Sequence, residues 1–174
     1  MKKLCILLLV VLLLAGCAEK KTYETISDYL ETPKIPTPLE MIATLPEGAA
    51  SPVLSSTAAG KLYEYDGATI TMQAVTVGDF TGLIREITGY SPENLQIMES
   101  VQAELPSYQM VWTCVGEGQT QVGRACILTD NNYYYVLTAM VPEQKAASLT
   151  GGELKEMFAS FRAILQQDVI SSGS

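Results

Sequence analysis

The chain has 174 residues, a formal charge of −8 at neutral pH and no histidine. So acidic a chain gains nothing electrostatically from nucleic acid or from anionic lipid headgroups, which sets nucleic-acid binding aside. Without histidine the commonest general base and the commonest metal ligand are both missing, and a zinc site has too few ligands to form.

The chain opens on Met1, Lys2 and Lys3, followed by thirteen residues, Leu4 to Gly16, that carry no charge. A helix crossing the hydrocarbon core needs about 20 residues. A basic start, a short apolar core and small residues at its end describe a secretory signal peptide over residues 1–16. Its boundary, Leu14-Ala15-Gly16-Cys17, resembles the lipobox of bacterial lipoproteins. The resemblance implies cleavage before Cys17 and lipid attachment to its sulfur. Two or more acyl chains anchor stably where one does not. The expected location is therefore extracytoplasmic, on the outer face of the cytoplasmic membrane or in an outer membrane.

Cleavage there leaves 158 residues and, with Lys2 and Lys3 gone, a charge of −10, enough chain for one domain and a tether. Residues 17–52 are punctuated by Pro33, Pro36, Pro38, Pro46 and Pro52 and read as an extended, stiff linker. A helical turn over Thr25 to Leu30 is the only element suggested within it.

The folded domain is expected over residues 53–168. Asp66-Gly67, between two β-prone runs, signals a hairpin. Phe80, Leu83, Ile84 and Ile87 share one helical face, with Asp79 as N-cap and Gly89 as stop. Ser91-Pro92-Glu93 begins a brief second turn. Strands follow at about Gln96–Glu104, Ser107–Val115 and Gln121–Thr129, then Tyr133–Val141 after the turn at Asp130-Asn131-Asn132. Short connections make these an antiparallel meander. In the second of these four strands, Tyr108, Met110, Trp112 and Cys114 alternate with Val111, Thr113 and Val115, the pattern of a strand covered on both faces. Gly151-Gly152 lead into a closing amphipathic helix bearing Leu154, Met157, Phe158, Phe161, Ile164 and Leu165. Residues 169–174 are a polar tail. Helices before and after a run of strands give an α+β fold, an antiparallel sheet with helices packed on it.

Cys114 and Cys126 are the two cysteines left after the signal peptide and the anchor. In an oxidising compartment they pair as a disulfide across a hairpin, or they are two buried thiols.

From Gly60 onward, the early hairpin, the helix "DFTGLIREITG", the long strands and the ending "NNYYYVLTAMVPE…ELKEMFASFRAI" resemble the PsbP-like α/β/α sandwich. The resemblance covers about 110 residues and includes the Ser160-Phe161 pair. It implies a domain that acts by binding a partner, here another envelope protein, with no catalytic set and no cofactor to carry over.

Three groups invite a functional reading. Trp112 with Tyr133, Tyr134 and Tyr135 makes an aromatic binding surface, or the tyrosines cover the two sheet faces. Met41, Met72, Met98, Met110, Met140 and Met157 suggest copper(I), or fill the core. Arg85, Arg124 and Arg162 gather as an anion site, or pair with surface carboxylates. A pocket between sheet and helix for a small ligand is the alternative to protein docking. A carboxylate-dependent hydrolase is a third reading, which requires two acids facing one cleft. The expectation overall is a non-enzymatic, membrane-tethered binding module.

Overall fold

The computed structural model describes residues 36–51, 60–116 and 118–165. The expected signal peptide over 1–16, Cys17, the turn expected at 25–30 and the tail expected at 169–174 fall outside these residues. The centre is a six-stranded antiparallel sheet in the order β2-β3-β7-β6-β5-β4. Its strands are β2 (Gly60–Tyr65), β3 (Ala68–Thr76), β4 (Ile97–Gln102), β5 (Leu105–Gly116), β6 (Gln119–Thr129) and β7 (Tyr133–Pro142). A separate two-stranded ribbon joins β1 (Glu40–Ile42) to β8 (Arg162–Ile164). The α+β architecture expected from the sequence is the one observed.

Local chemistry explains most boundaries. Asp66 and Gly67 both take positive φ, 44° and 76°, which suits the two-residue turn joining β2 to β3. Helix α1 (Phe80–Thr88) ends where Gly89 adopts the left-handed conformation, φ 78°, and its amide donates to the Arg85 carbonyl. Asp79 occupies the N-cap position but makes no side-chain cap bond. The turn at Pro92–Asn94 is a single 3-10 turn.

The sheet separates two apolar layers. On one face α1 lays Leu83 and Ile84 over Met110, Trp112, Ala125, Ile127 and Val136. The Phe80 ring stands 4.8 Å from Tyr108 and 5.4 Å from Tyr134, closing that layer. On the other face α2 (Gly152–Ser160) places Leu154, Met157 and Phe158 over Met72, Cys126, Leu128, Tyr135 and Leu137. A 3-10 stretch, Glu143–Thr150, precedes α2 and buries Leu149.

Three expectations are corrected. The closing helix stops at Ser160 and does not run on to Leu165. Ser160 Oγ donates to the Met157 carbonyl and accepts from the Thr44 amide, while Gln102 Nε2 donates to the carbonyls of Phe158 and Phe161. Those bonds satisfy the helix end, and the chain turns extended at Phe161, φ −63° and ψ 127°. Phe161 and Ala163 then point inward and Arg162 outward, a period of two that the same apolar spacing hides.

Part of the expected tether also belongs to the fold. Glu40–Ile42 forms β1, and Leu39, Met41, Ala43 and Leu45 pack on the α2-side core. The folded body therefore includes residues upstream of 53. Finally, β5 is covered on both faces only near its start, where Leu105 packs on the α2-side core and Ser107 is buried. It lies next to the edge strand, and Val111 and Val115 are 50% and 77% exposed.

A partly buried polar chain ties the ribbon to the sheet. The Tyr135 hydroxyl donates to Asp130 Oδ2 at 2.7 Å and accepts from the Leu39 amide at 3.0 Å. Burial pushes the Asp130 carboxyl up. The hydrogen bonds from Tyr135 and from the Tyr133 and Asn132 amides outweigh it and hold the pKa below the usual aspartate range. A depressed carboxylate stabilises the fold above its unfolded pKa, about 3.9, and the contribution is lost as pH falls through the folded value. Asp130→Asn is thus expected to be less stable at neutral pH. Its urea midpoint should then approach that of the wild type as pH drops below about 4.

Gly123 leaves the room that the Trp112 indole fills. A Cβ there would stand 2.3 Å from the ring and 2.6 Å from Met140 Sδ. Gly123→Ala is expected to cost about 1–3 kcal/mol by overpacking, measured by urea denaturation.

Candidate ligand-binding cleft

Helix α2 is too short to cover its whole face of the sheet. Beyond it, β4 and β5 are left open, and a cleft of about 670 Å³ lies between them and the 3-10–α2 segment. Met98 and Val111 supply its apolar surface, 58% and 50% exposed. Gln109, Arg124, Thr150 and Lys155 supply its polar groups, and no carboxylate lines it.

Arg124 is the central group. It sits in β6 opposite Val111 of β5 and Ala139 of β7, on the face that carries α2. Its Nη1 donates to the Leu149 carbonyl at 2.7 Å and its Nη2 to Gln109 Oε1 at 3.1 Å. The guanidinium carbon lies 4.4 Å from the Phe158 ring centroid, a cation–π contact. Gln109 is held in turn by Gln102, whose own amide binds the end of α2. Burial pushes the Arg124 pKa down, yet the group makes no ion pair among the described residues. The result is a positioned, partly desolvated cation with hydrogen-bond donors to spare.

Most residues singled out from sequence do not converge. Trp112 is buried under α1, and Tyr134 is half-buried on that same face. Tyr133 and Tyr135 belong to the opposite layer, and Tyr135 has no exposed surface. The four aromatics therefore build two cores and no common surface. Met72 and Met157 lie in the α2-side core and Met110 in the α1-side core, so these thioethers do not gather. Among the described residues no group of three or more cysteines and acids is placed to hold a metal ion. Arg85 bonds Ser91 beside α1, and Arg162 lines a separate notch at the β1–β8 ribbon, so the three arginines stand apart.

The disulfide is corrected as well: Cys114 and Cys126 are free thiols. In the β5–β6 ladder Cys114 pairs with Gln121 and Cys126 with Gln109. The two cysteines are thus five positions out of register and on opposite faces of the sheet. Cys126 is buried, which pushes its thiol pKa up, and its Sγ lies 3.6 Å from Ser107 Oγ. Cys17 lies outside the described residues.

Paired acids do share shallow clefts. Asp66 and Glu153 line one, where Lys145 holds Asp66 and the Tyr65 hydroxyl donates to Glu153. Asp79 and Glu86 line another beside α1. The sequence marks Arg124 as one of three arginines that gather as an anion site; the signal passed over was its setting, a lone cation inside the apolar strand "VGRACILT".

No protein-family model matches the chain, and no curated protein matches it by sequence. Among solved structures, it is similar to a protein of Bacteroides thetaiotaomicron, with TM-score 0.50 and 11% identity over 73% of this chain. The match spans 46% of that longer chain. It is also similar to LpqN of Mycobacterium tuberculosis, described as involved in cell envelope biogenesis, with TM-score 0.46 and 14% identity. That match covers 80% of this chain and 97% of LpqN. Cyanobacterial PsbP from Synechocystis sp. PCC 6803 is similar at TM-score 0.47 and 8% identity, over 72% of this chain and 92% of its own. At these identities the likeness is one of fold. Among the described residues no helix is long and apolar enough to cross a membrane.

The thiol assignment is directly testable. Intact mass is expected to be the same with and without reductant. In the native protein, alkylation should reach half-exposed Cys114 well before Cys126.

Proposed function

We propose that this protein is a lipid-anchored, non-catalytic binding module of a bacterial cell envelope, whose α+β body docks onto another envelope protein. The observation that carries this reading is the tetrad Leu14-Ala15-Gly16-Cys17 at the end of a short apolar run. Its resemblance to a lipobox makes Cys17 the attachment point. The proline-rich residues that follow give the body reach from the bilayer surface, and the negative charge keeps it from lying on anionic headgroups. Confinement to a thin layer raises its effective concentration for a membrane partner without any new contact.

A small-ligand receptor is the second reading, favoured by the open cleft around Arg124. Its volume falls within the roughly 300–1,000 Å³ of ordinary ligand sites.

Metabolic labelling with palmitate, followed by membrane fractionation, tests the anchor. Wild type is expected in the membrane fraction carrying acyl chains, and Cys17→Ala is expected to lose the label. Recovery of crosslinked envelope proteins should fall about tenfold or more in the variant, given the gain that tethering confers. Equal recovery from both forms would overturn docking by tethering.

A further inference from the structure

The cleft around Arg124 has a chemical preference of its own, and naming its ligand rests on the receptor reading above. In a chain with a net charge of −8, two cations, Arg124 and Lys155, line one cleft that contains no acid. Guanidinium offers five N–H donors. Two are taken by Leu149 and Gln109, and no other acceptor among the described residues engages the rest. The contacts to Leu149, Gln109 and Phe158 fix the group before any ligand arrives, so little freedom is left to lose on binding. Met98 and Val111 extend an exposed apolar floor away from it.

We propose that this cleft binds a small amphipathic carboxylate, with its headgroup on Arg124 and Lys155 and its apolar tail along Met98 and Val111. The planar fork of arginine matches a carboxylate in two parallel hydrogen bonds, and lysine adds a mobile point charge at the rim. A free single-chain ligand fits better than a bilayer surface, because the rest of this acidic chain is repelled by anionic headgroups.

The test uses the full chain, labelled with ¹³C on the methionine methyl groups, in nanodiscs of neutral lipid, titrated with octanoate. The Met98 methyl signal reports the cleft, and Met72 and Met157, buried in the core, serve as internal references. The expected result is a saturable shift of Met98 with none at Met72 or Met157. It should weaken with added salt and be absent for the neutral isochain probe octanol at the same concentration. Lys155→Gln is expected to weaken octanoate about two- to fivefold, as for an exposed charge. Arg124→Gln should weaken it about tenfold or more, as for a charge-assisted bond. Because Arg124 also supports the fold, Val111→Glu provides a second variant at an exposed position, and it too should reduce binding about tenfold or more.

An equal response to octanol would overturn the carboxylate preference and leave a receptor for neutral amphiphiles. Unchanged octanoate binding by Val111→Glu would place the ligand elsewhere and overturn the assignment of the cleft. No Met98 response to either probe would overturn both this proposal and the receptor reading. A Met98 shift produced by nanodiscs of phosphatidylglycerol, in place of one produced by octanoate, would show a membrane surface as the ligand and overturn it too.

Discussion

The folded body depends on the register of three neighbouring strands, β5, β6 and β7. Side chains alternate across a sheet, so a slip of one residue would send every side chain of a strand to the wrong face. In the observed register Trp112 stands opposite Gly123, and the ring occupies the volume that any other residue there would need. One position along, Arg124 stands opposite Val111 and faces the other way. Gly123 and Arg124 are adjacent in sequence, yet one makes room for an indole under α1 and the other presents a cation beside α2. The same parity separates Cys114 from Cys126.

Arg124 shows how the protein tolerates a cation among apolar neighbours. Taking a guanidinium partly out of water is unfavourable unless its donors find acceptors. Here a backbone carbonyl, a glutamine side chain and an aromatic face provide them. The glutamine belongs to a longer chain, Gln109 to Gln102 to the end of α2. That chain also stops the helix, so the position of the cation and the length of the helix have a common cause. The shortness of α2 is what leaves β4 and β5 uncovered.

Much of the fold is legible locally. Asp66-Gly67 can satisfy only a tight turn, Gly89 ends α1 through a conformation other residues avoid, and the apolar spacing from Phe80 to Ile87 has one helical solution. The end of α2 is not legible in that way, because Phe161, Ala163 and Ile164 suit either a helix face or an alternating strand. The choice was made by a partner about 120 residues away in sequence, β1, and by the amide of Gln102. The candidate cleft was hidden for a related reason. Val111 and Val115 looked like the second face of a buried strand, and nothing local says that the helix meant to cover them is too short.

By itself, then, the sequence determined the order of the main elements and the antiparallel α+β class. These follow from short-range chemistry: a run of apolar residues, turn residues with special dihedrals, and periodicities of 2 and 3.6. Tertiary structure alone decided which of two apolar patterns closes the chain, which strand faces remain open, and which polar residues meet. Those outcomes depend on strand order and on the register of residues far apart in the chain. That is why Cys114 and Cys126 stay apart while Arg124, Gln109, Leu149 and Phe158 come together.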